Sequence, residues 1–287
     1  MIIWLSSYPK SGNTWVRAFL SSYLDSTDGK FNFSLLDKIG EFHDHNILNK
    51  FMDSKDFYNW SEVSKYWIKV QELINSNKKL TFLKTHSSLC NINGNKFTNT
   101  DNTLAFIHIV RDPRNIVLSM AHHFGITQEE SYKIISDKMY IIYPKRNNQP
   151  IPSTLISSWN NHYLSWKNSN SINKIVIKYE DLIKNTKDTF EKIINFLSEQ
   201  AKIKYDEKKI VNSINVTQFD NLKKNEDKYG FNMGQKNKFF YLGKKNDWKN
   251  LLDPGMSDKI NIQFKSEMNE LGYIWIQPMK ELVTKAD

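Results

Sequence analysis

Three short polar clusters in this chain of 287 residues combine side chains that can bind anions and move a proton. The first is Tyr8-Pro9-Lys10-Ser11-Gly12-Asn13-Thr14-Trp15. It follows an apolar run, Ile2 to Ser6, and opens a helical pattern from about Thr14 whose inner positions include Trp15, Ala18, Phe19 and Ser22. Backbone N–H groups at a helix start are unpaired and carry the positive end of the helix dipole, so an anion is stabilised there. Gly12 permits close approach of backbone to ligand. Lys10 can add a charge to a leaving or transferring oxygen. An ordinary strand-helix turn is an equally good account of Ser-Gly-Asn alone. The lysine precedes the glycine, which is not the G-x-x-x-x-G-K-[ST] order and disfavours a Walker-type ATPase or kinase.

The second cluster is Arg111-Asp112-Pro113-Arg114. Asp112 is a good N-cap and Pro113 a good first helical residue. Ile116, Val117, Met120, Ala121 and Phe124 then give a helical apolar stripe. Arg111 therefore leaves a strand just before a helix, and Ser119 returns to nearly the same face roughly 10 Å along the axis. A salt bridge to a neighbouring acid is the plainer reading of Arg111, and a filler role that of Ser119. The third cluster, Lys84-Thr85-His86, closes another apolar run. Histidine is matched to accept an alcohol proton near neutral pH, although a lone histidine is more often a structural hydrogen-bonder. Apart from the adjacent pair His122-His123, the other histidines show no metal-ligand spacing, so no metal site is read.

The runs that must position these clusters are short and β-rich, and each is followed by a turn and a helical pattern. They are Ile2 to Ser6, Leu80 to Leu83, Leu104 to Val110, and Lys174 to Tyr179. After the last comes a helix with Phe190, Ile193, Ile194 and Leu197 at i, i+3, i+4 and i+7. Near-continuous apolar strands alternating with helices predict an α/β fold of three layers, a central parallel sheet flanked by helices on both faces. Ligands in such sheets sit at the carboxyl ends of the strands, where all three clusters fall. The length suits one such domain or two small ones, and 1–287 reads as a single unit with no repeat or linker.

Composition narrows the class. The net charge of +9 suggests attraction to anions. Only Arg17, Arg111, Arg114 and Arg146 are arginine, so most of the excess is scattered lysine. No apolar run approaches membrane length. Met1 to Leu5 has no basic flank and does not read as a signal peptide, and the single cysteine, Cys90, excludes an intrachain disulfide framework. A cytoplasmic setting is expected.

Taken in order along the chain, these segments resemble the sulfotransferases that use 3′-phosphoadenosine 5′-phosphosulfate (PAPS), in their soluble, cytosolic branch. Tyr8 to Trp15 is similar to that family's 5′-phosphosulfate loop, Y-P-K-S-G-T-T-W, with Asn13 as the one departure. Lys84-Thr85-His86 resembles its K-[ST]-H, and Val110 to Ser119 its 3′-phosphate segment. Ser158-Trp159 with His162 and Trp166 looks like its S-W-x-x-H…W helix, and Tyr179-Glu180-Asp181-Leu182 matches Y-E-D-[LM]. Thr217-Gln218-Phe219 with Leu222 resembles an adenine-contacting T-S-F-x-x-M stretch. Gly243 to Asn250 resembles R-K-G-x-x-G-D-W-K-N, but Tyr241 and Leu242 stand at the Arg-Lys positions and Asn246 at a glycine.

The resemblance implies a P-loop NTPase-like fold and a sulfuryl transfer to a hydroxyl or amine, with release of 3′-phosphoadenosine 5′-phosphate (PAP). It implies His86 as general base, Lys10 on the bridging oxygen of the leaving phosphate, and Lys84 on the sulfuryl oxygens. Ser11, Gly12, Asn13, Thr14 and Trp15 would hold the 5′ end of the donor, and Arg111 and Ser119 its 3′-phosphate. Tyr179, Thr217 and Phe219 would lie beside the adenine. Gly243 and Lys244 would come from the last loop, where Lys244 and Lys245, or Lys236 and Lys238 before them, would substitute for the missing cations as point charges. No metal is implied.

Partners are a small-molecule or glycan acceptor, with neither nucleic acid nor membrane expected. Residues 25–79 and 122–155, rich in aromatic and basic groups, are the expected acceptor pocket and lid, although those aromatics also suit a helix core. The short dimerisation motif of many relatives is absent, so no oligomeric state is inferred. Two other classes are compatible with parts of the sequence. A nucleotide kinase would share the anion-binding turn but need Mg²⁺ and a Walker-order lysine. A nucleic-acid binder could use the positive charge without a zinc finger, an RRM-type motif or a basic tail to support it.

Overall fold

The computed structural model describes residues 1–43, 46–53, 55–143, 145–146, 149–231, 237–243 and 246–274. Its centre is four parallel strands, β1 (Ile2–Ser7), β2 (Thr81–Thr85), β3 (Thr103–Val110) and β4 (Asn173–Lys178), in the order β4-β3-β1-β2. The register pairs Leu5 with Lys84 on one side and with Ile107 on the other. All six residues of β1 are buried, as a central strand covered on both faces requires.

Alternation along β1 sorts the core into two layers. Ile3 and Leu5 pack with Val16, Phe19 and Leu20 of α1 (Asn13–Asp25) and with Phe190, Ile193, Ile194 and Leu197 from further along the chain. Ile2 and Trp4 face the opposite layer with Leu83, Phe106, Trp67 and Val70 of α2 (Trp67–Asn75), and Trp166. Phe19 and Phe190 stack with ring centroids 3.9 Å apart. A third cluster packs α3 (Pro113–Phe124) and α4 (Trp159–Lys167) under Met256, Ile260, Phe264 and Met268.

Two further helices matter for the site. Tyr179, expected in the last strand, is instead the first residue of α5 (Tyr179–Lys184), so its ring sits at the strand's carboxyl end. The stripe from Phe190 to Leu197 lies on α6 (Thr186–Ala201), as its spacing predicts. Among the described residues no helix is long and apolar enough to cross a membrane.

The chain runs from β1 to β2 on one side, then returns across β1 to β3 and on to β4. The strand order therefore reverses between β1 and β3, and a crevice opens outside their carboxyl ends. Phe190→Ala removes the ring that joins α6 to α1 and is expected to cost about 3–5 kcal/mol in urea unfolding. A loss well under 1 kcal/mol would contradict this packing.

Candidate active site

The loop after β1 turns sharply before α1. Lys10 has φ 66° and Gly12 φ 100°, so two of three consecutive residues are left-handed. For lysine that conformation is uncommon and characteristic of functional turns. For glycine it is free, and here required twice over: a Cβ on Gly12 would lie 2.4 Å from Cδ2 of Tyr179. The Lys10 carbonyl accepts a hydrogen bond from Nη1 of Arg111 at 2.8 Å. The loops after β1 and β3 are thus joined by the side chain that the sequence singled out as an anion reader. The Arg111 guanidinium also lies over the Tyr179 ring, 4.2 Å from its centroid.

The neighbouring arginine does different work. Asp112 caps α3 through the Arg114 N–H and binds its guanidinium at 2.6 and 2.9 Å. Arg114 also lies over Trp248 and donates to the Tyr273 carbonyl. It fastens the C-terminal helices, while Arg111 faces the crevice.

One cavity of about 1800 Å³ gathers most of the expected residues. Lys10, Lys84 and His86 line it together with Gly12, Asn13, Thr14 and Trp15. Arg111, Ser119, Tyr179, Phe219 and Gly243 line it as well. Asn13 also sends its amide back to the Leu5 carbonyl and the Ser7 hydroxyl, lashing the start of α1 to β1. Ser11 is buried within the loop and does not line the cavity. Thr217 is fully buried, bonds the Ser213 carbonyl at 2.6 Å and does not reach the cavity. Lys244, with Lys245 and Lys236, lies outside the described residues.

Charge in this cavity is dense, and Lys10, Glu41 and His86 are deeply buried. Lys84 belongs to β2 rather than ending it, and its buried ammonium pairs with Glu41. Burial alone would raise the Glu41 carboxyl, but Lys84, helped by His86 and His43, holds it at about 2. Burial, reinforced by Arg111, lowers the Lys10 ammonium to about 7, with Glu226 opposing and Lys84 adding. Its Nζ rests 4.0 Å from the centroid of Phe239.

His86 places Nδ1 2.7 Å from the Ser7 carbonyl. A carbonyl only accepts, so Nδ1 carries the proton of the neutral ring and Nε2 keeps its lone pair. Burial and then Lys84 push the imidazole down to about 3, against a smaller pull from Glu41.

Sequence reasoning did not find Glu41 or Glu226. Glu226 lies on α7 (Phe219–Tyr229), is buried, and accepts the N–H groups of Phe239 and Phe240 at 2.7 and 2.9 Å. It holds the segment carrying Tyr241 and Leu242 over the crevice. Its one sequence signal is a place four residues after buried Leu222, on the same helix face. Tyr241, at an expected arginine position, stacks on His122 at 3.8 Å and 7°. Of the expected acceptor segments, Phe124, Ile142, Tyr143, Ile151 and Thr154 line the cavity from one, and Glu41 and His43 from the other. Phe42, Phe57 and Trp67 are core. Among the described residues no group of three or more His, Cys, Asp or Glu is placed to hold a metal ion.

Comparison with known proteins gives this arrangement its family. The model of the sulfotransferase domain matches residues 2–272. The chain belongs to the sulfotransferase family. It is 25% identical to the 3-alpha-hydroxysteroid sulfotransferase of Cavia porcellus over 221 residues. That match covers 77% of this chain and 65% of the relative, a little less than two thirds of the relative's length.

Among solved structures, mouse sulfotransferase SULT7A1 complexed with PAP is similar at a TM-score of 0.59 and 19% identity, over 95% of this chain and 86% of that one. Retinol dehydratase in complex with androsterone and the inactive cofactor PAP is similar at 0.60 and 16%, over 94% and 81%. At these identities the likeness establishes the fold, which is P-loop NTPase-like.

Gly12→Ala joins a clash to a strained φ, so it is expected to cost more than the ~1 kcal/mol typical of a Gly/Ala exchange. Urea unfolding reads this, and an unchanged midpoint would contradict the close approach to Tyr179.

Proposed function

We propose that the chain is an enzyme that moves a sulfuryl group from PAPS to a hydroxyl, or an amine, of a small-molecule or glycan acceptor by in-line displacement. The observation that carries this reading is the junction of an anion-binding loop with a neutral histidine, His86, on the wall of the same cavity. The residues fit the donor. Among the described residues, the guanidinium Nε of Arg111 and the indole N–H of Trp15 are buried without a hydrogen-bond partner, and both residues line the cavity. Such groups are costly to leave unsatisfied. When bound, the donor supplies an activated phosphosulfate bond.

The protein's part is positioning and electrostatics. Lys10 and the N–H groups opening α1 stabilise charge that develops on the departing phosphate. Lys84, held in place by Glu41, faces the sulfuryl oxygens. Arg111 and Ser119 hold the 3′-phosphate, with Tyr179 and Phe219 beside the base. His86 accepts the acceptor proton at Nε2. In the free site burial and then Lys84 lower its basicity, and an anionic donor offsets the contribution of Lys84 where the proton is taken up. Phe124, Ile142, Ile151 and Ile156 give the acceptor end an apolar wall, which suits an acceptor with an apolar body such as that of androsterone, bound in the retinol dehydratase complex. Residues 1–287 act as one domain, and the single cysteine suits a cytoplasmic setting.

Lys10→Ala and His86→Ala are each expected to lower turnover on the order of 10²-fold or more. The assay is PAPS with a panel of phenol, sugar and amine acceptors. Near-wild-type turnover of His86→Ala with a hydroxyl acceptor would sink its assignment as base. The lowered ammonium of Lys10 also sets a pH dependence. A bound anion keeps Lys10 charged, so binding takes up a proton above about pH 7 and PAP affinity falls as pH rises through it. Calorimetry in buffers of different ionisation enthalpy measures both quantities. A dissociation constant flat from about pH 6 to about pH 9 would contradict the role of Lys10.

A further inference from the structure

The helix carrying Trp159, His162 and Trp166 touches neither reacting group, yet its inner face meets the backbone of both halves of the site. At 100° per residue these three positions fall within about 60° of arc. Each is almost wholly buried and directs a ring N–H at one main-chain carbonyl. Trp159 Nε1 donates to the carbonyl of Arg111 at 3.2 Å, and Trp166 Nε1 to that of Ser87 at 2.9 Å. His162 Nε2 lies 3.1 Å from the carbonyl of His86. Since that carbonyl only accepts, Nε2 carries the proton of the neutral His162 ring.

The need for these donors follows from the fold. β2 ends at Thr85 and β3 at Val110. His86, Ser87 and Arg111 therefore lie just past the ladder and take no donor from it. Buried carbonyls in that position must find donors elsewhere.

We infer that α4 is a splint with two separable functions: His162 is a positioning residue for His86, and Trp159 is a positioning residue for Arg111. The inference rests on the roles proposed above for those two residues. His86 is held at two points, its ring by the Ser7 carbonyl and its own carbonyl by His162. Loss of the second leaves an unsatisfied carbonyl, and the peptide turns to find a partner, taking the ring off Ser7. Arg111 is held likewise, its carbonyl by Trp159 and its guanidinium by the Lys10 carbonyl. A helix that only filled space would couple to both halves alike, whereas separate donors couple to each half independently.

The test uses the full chain and needs no acceptor. Nitrogen-15 histidine NMR follows the Nδ1–H resonance of His86, and calorimetry follows PAP affinity. His162→Phe keeps a ring but no donor. It is expected to lose the His86 resonance while PAP affinity stays within about two-fold, well inside the effect of one hydrogen bond. His162→Gln, whose amide can stand in for Nε2, is expected to restore the resonance. Trp159→Phe is expected to keep the resonance and weaken PAP about five-fold. If His162→Phe does not fold, His162→Leu, which also lacks the donor, takes its place with the same expected outcome. Parallel loss of both readouts in both variants, or an unchanged His86 resonance in His162→Phe, would overturn the splint. A wild-type chain that does not bind PAP, but whose His86 resonance responds to His162→Phe and its rescue, would instead overturn the donor reading and keep the splint at His86.

Discussion

The hydrogen bond from Arg111 to the carbonyl of Lys10 is the contact on which the site depends. It crosses the point where the strand order reverses, tying the end of β3 to the end of β1. It also satisfies the carbonyl of a left-handed lysine. A turn with two successive demands for positive φ would otherwise be held only by its own backbone. With Arg111 in place, the lysine, the start of α1 and the arginine form one rigid wall. The stacking of Arg111 on Tyr179, and of Tyr179 against the face of Gly12, extends that wall to β4.

Rigidity of this kind has an electrostatic cost. Lys10, Lys84 and Arg111 are drawn toward one cavity, and burial removes the water that would screen them. Glu41 and Glu226 offset part of the charge, and each is placed to do a second task. Glu41 anchors Lys84, and Glu226 clasps the backbone of Phe239 and Phe240 over the opening. Burial first, and then the charge of Arg111, lowers the ammonium of Lys10. A site with excess buried positive charge is preorganised for a polyanion and gains most where negative charge is greatest.

Much of this was legible in the sequence. Strands buried on both faces leave apolar runs, so β1, β2, β3 and β4 could be placed to within a residue or two. Turns that start helices at a strand end leave Gly, Asp and Pro, so the Lys10 and Arg111 segments could be read as anion sites. What could not be read depends on which neighbour a side chain meets. Its place at a strand end pointed Arg111 toward the crevice, but nothing in the letters showed that Arg114 would bind Asp112 and pack on Trp248. Glu226 sits in a run of charged residues that reads as a solvated helix face, and Glu41 carries no spacing at all. Thr217 matches a motif but turns its hydroxyl to its own helix, since a threonine at a helix end can bond either way.

If this surplus of buried positive charge holds an adenosine bisphosphate without a metal, PAP binds the wild-type chain unaided. Thermal denaturation of the wild-type chain with PAP, set against ATP with Mg²⁺ and against an oligonucleotide, tests it most directly. PAP alone is expected to raise the melting temperature, with added Mg²⁺ leaving the shift unchanged. Stabilisation by ATP with Mg²⁺ and none by PAP would contradict it.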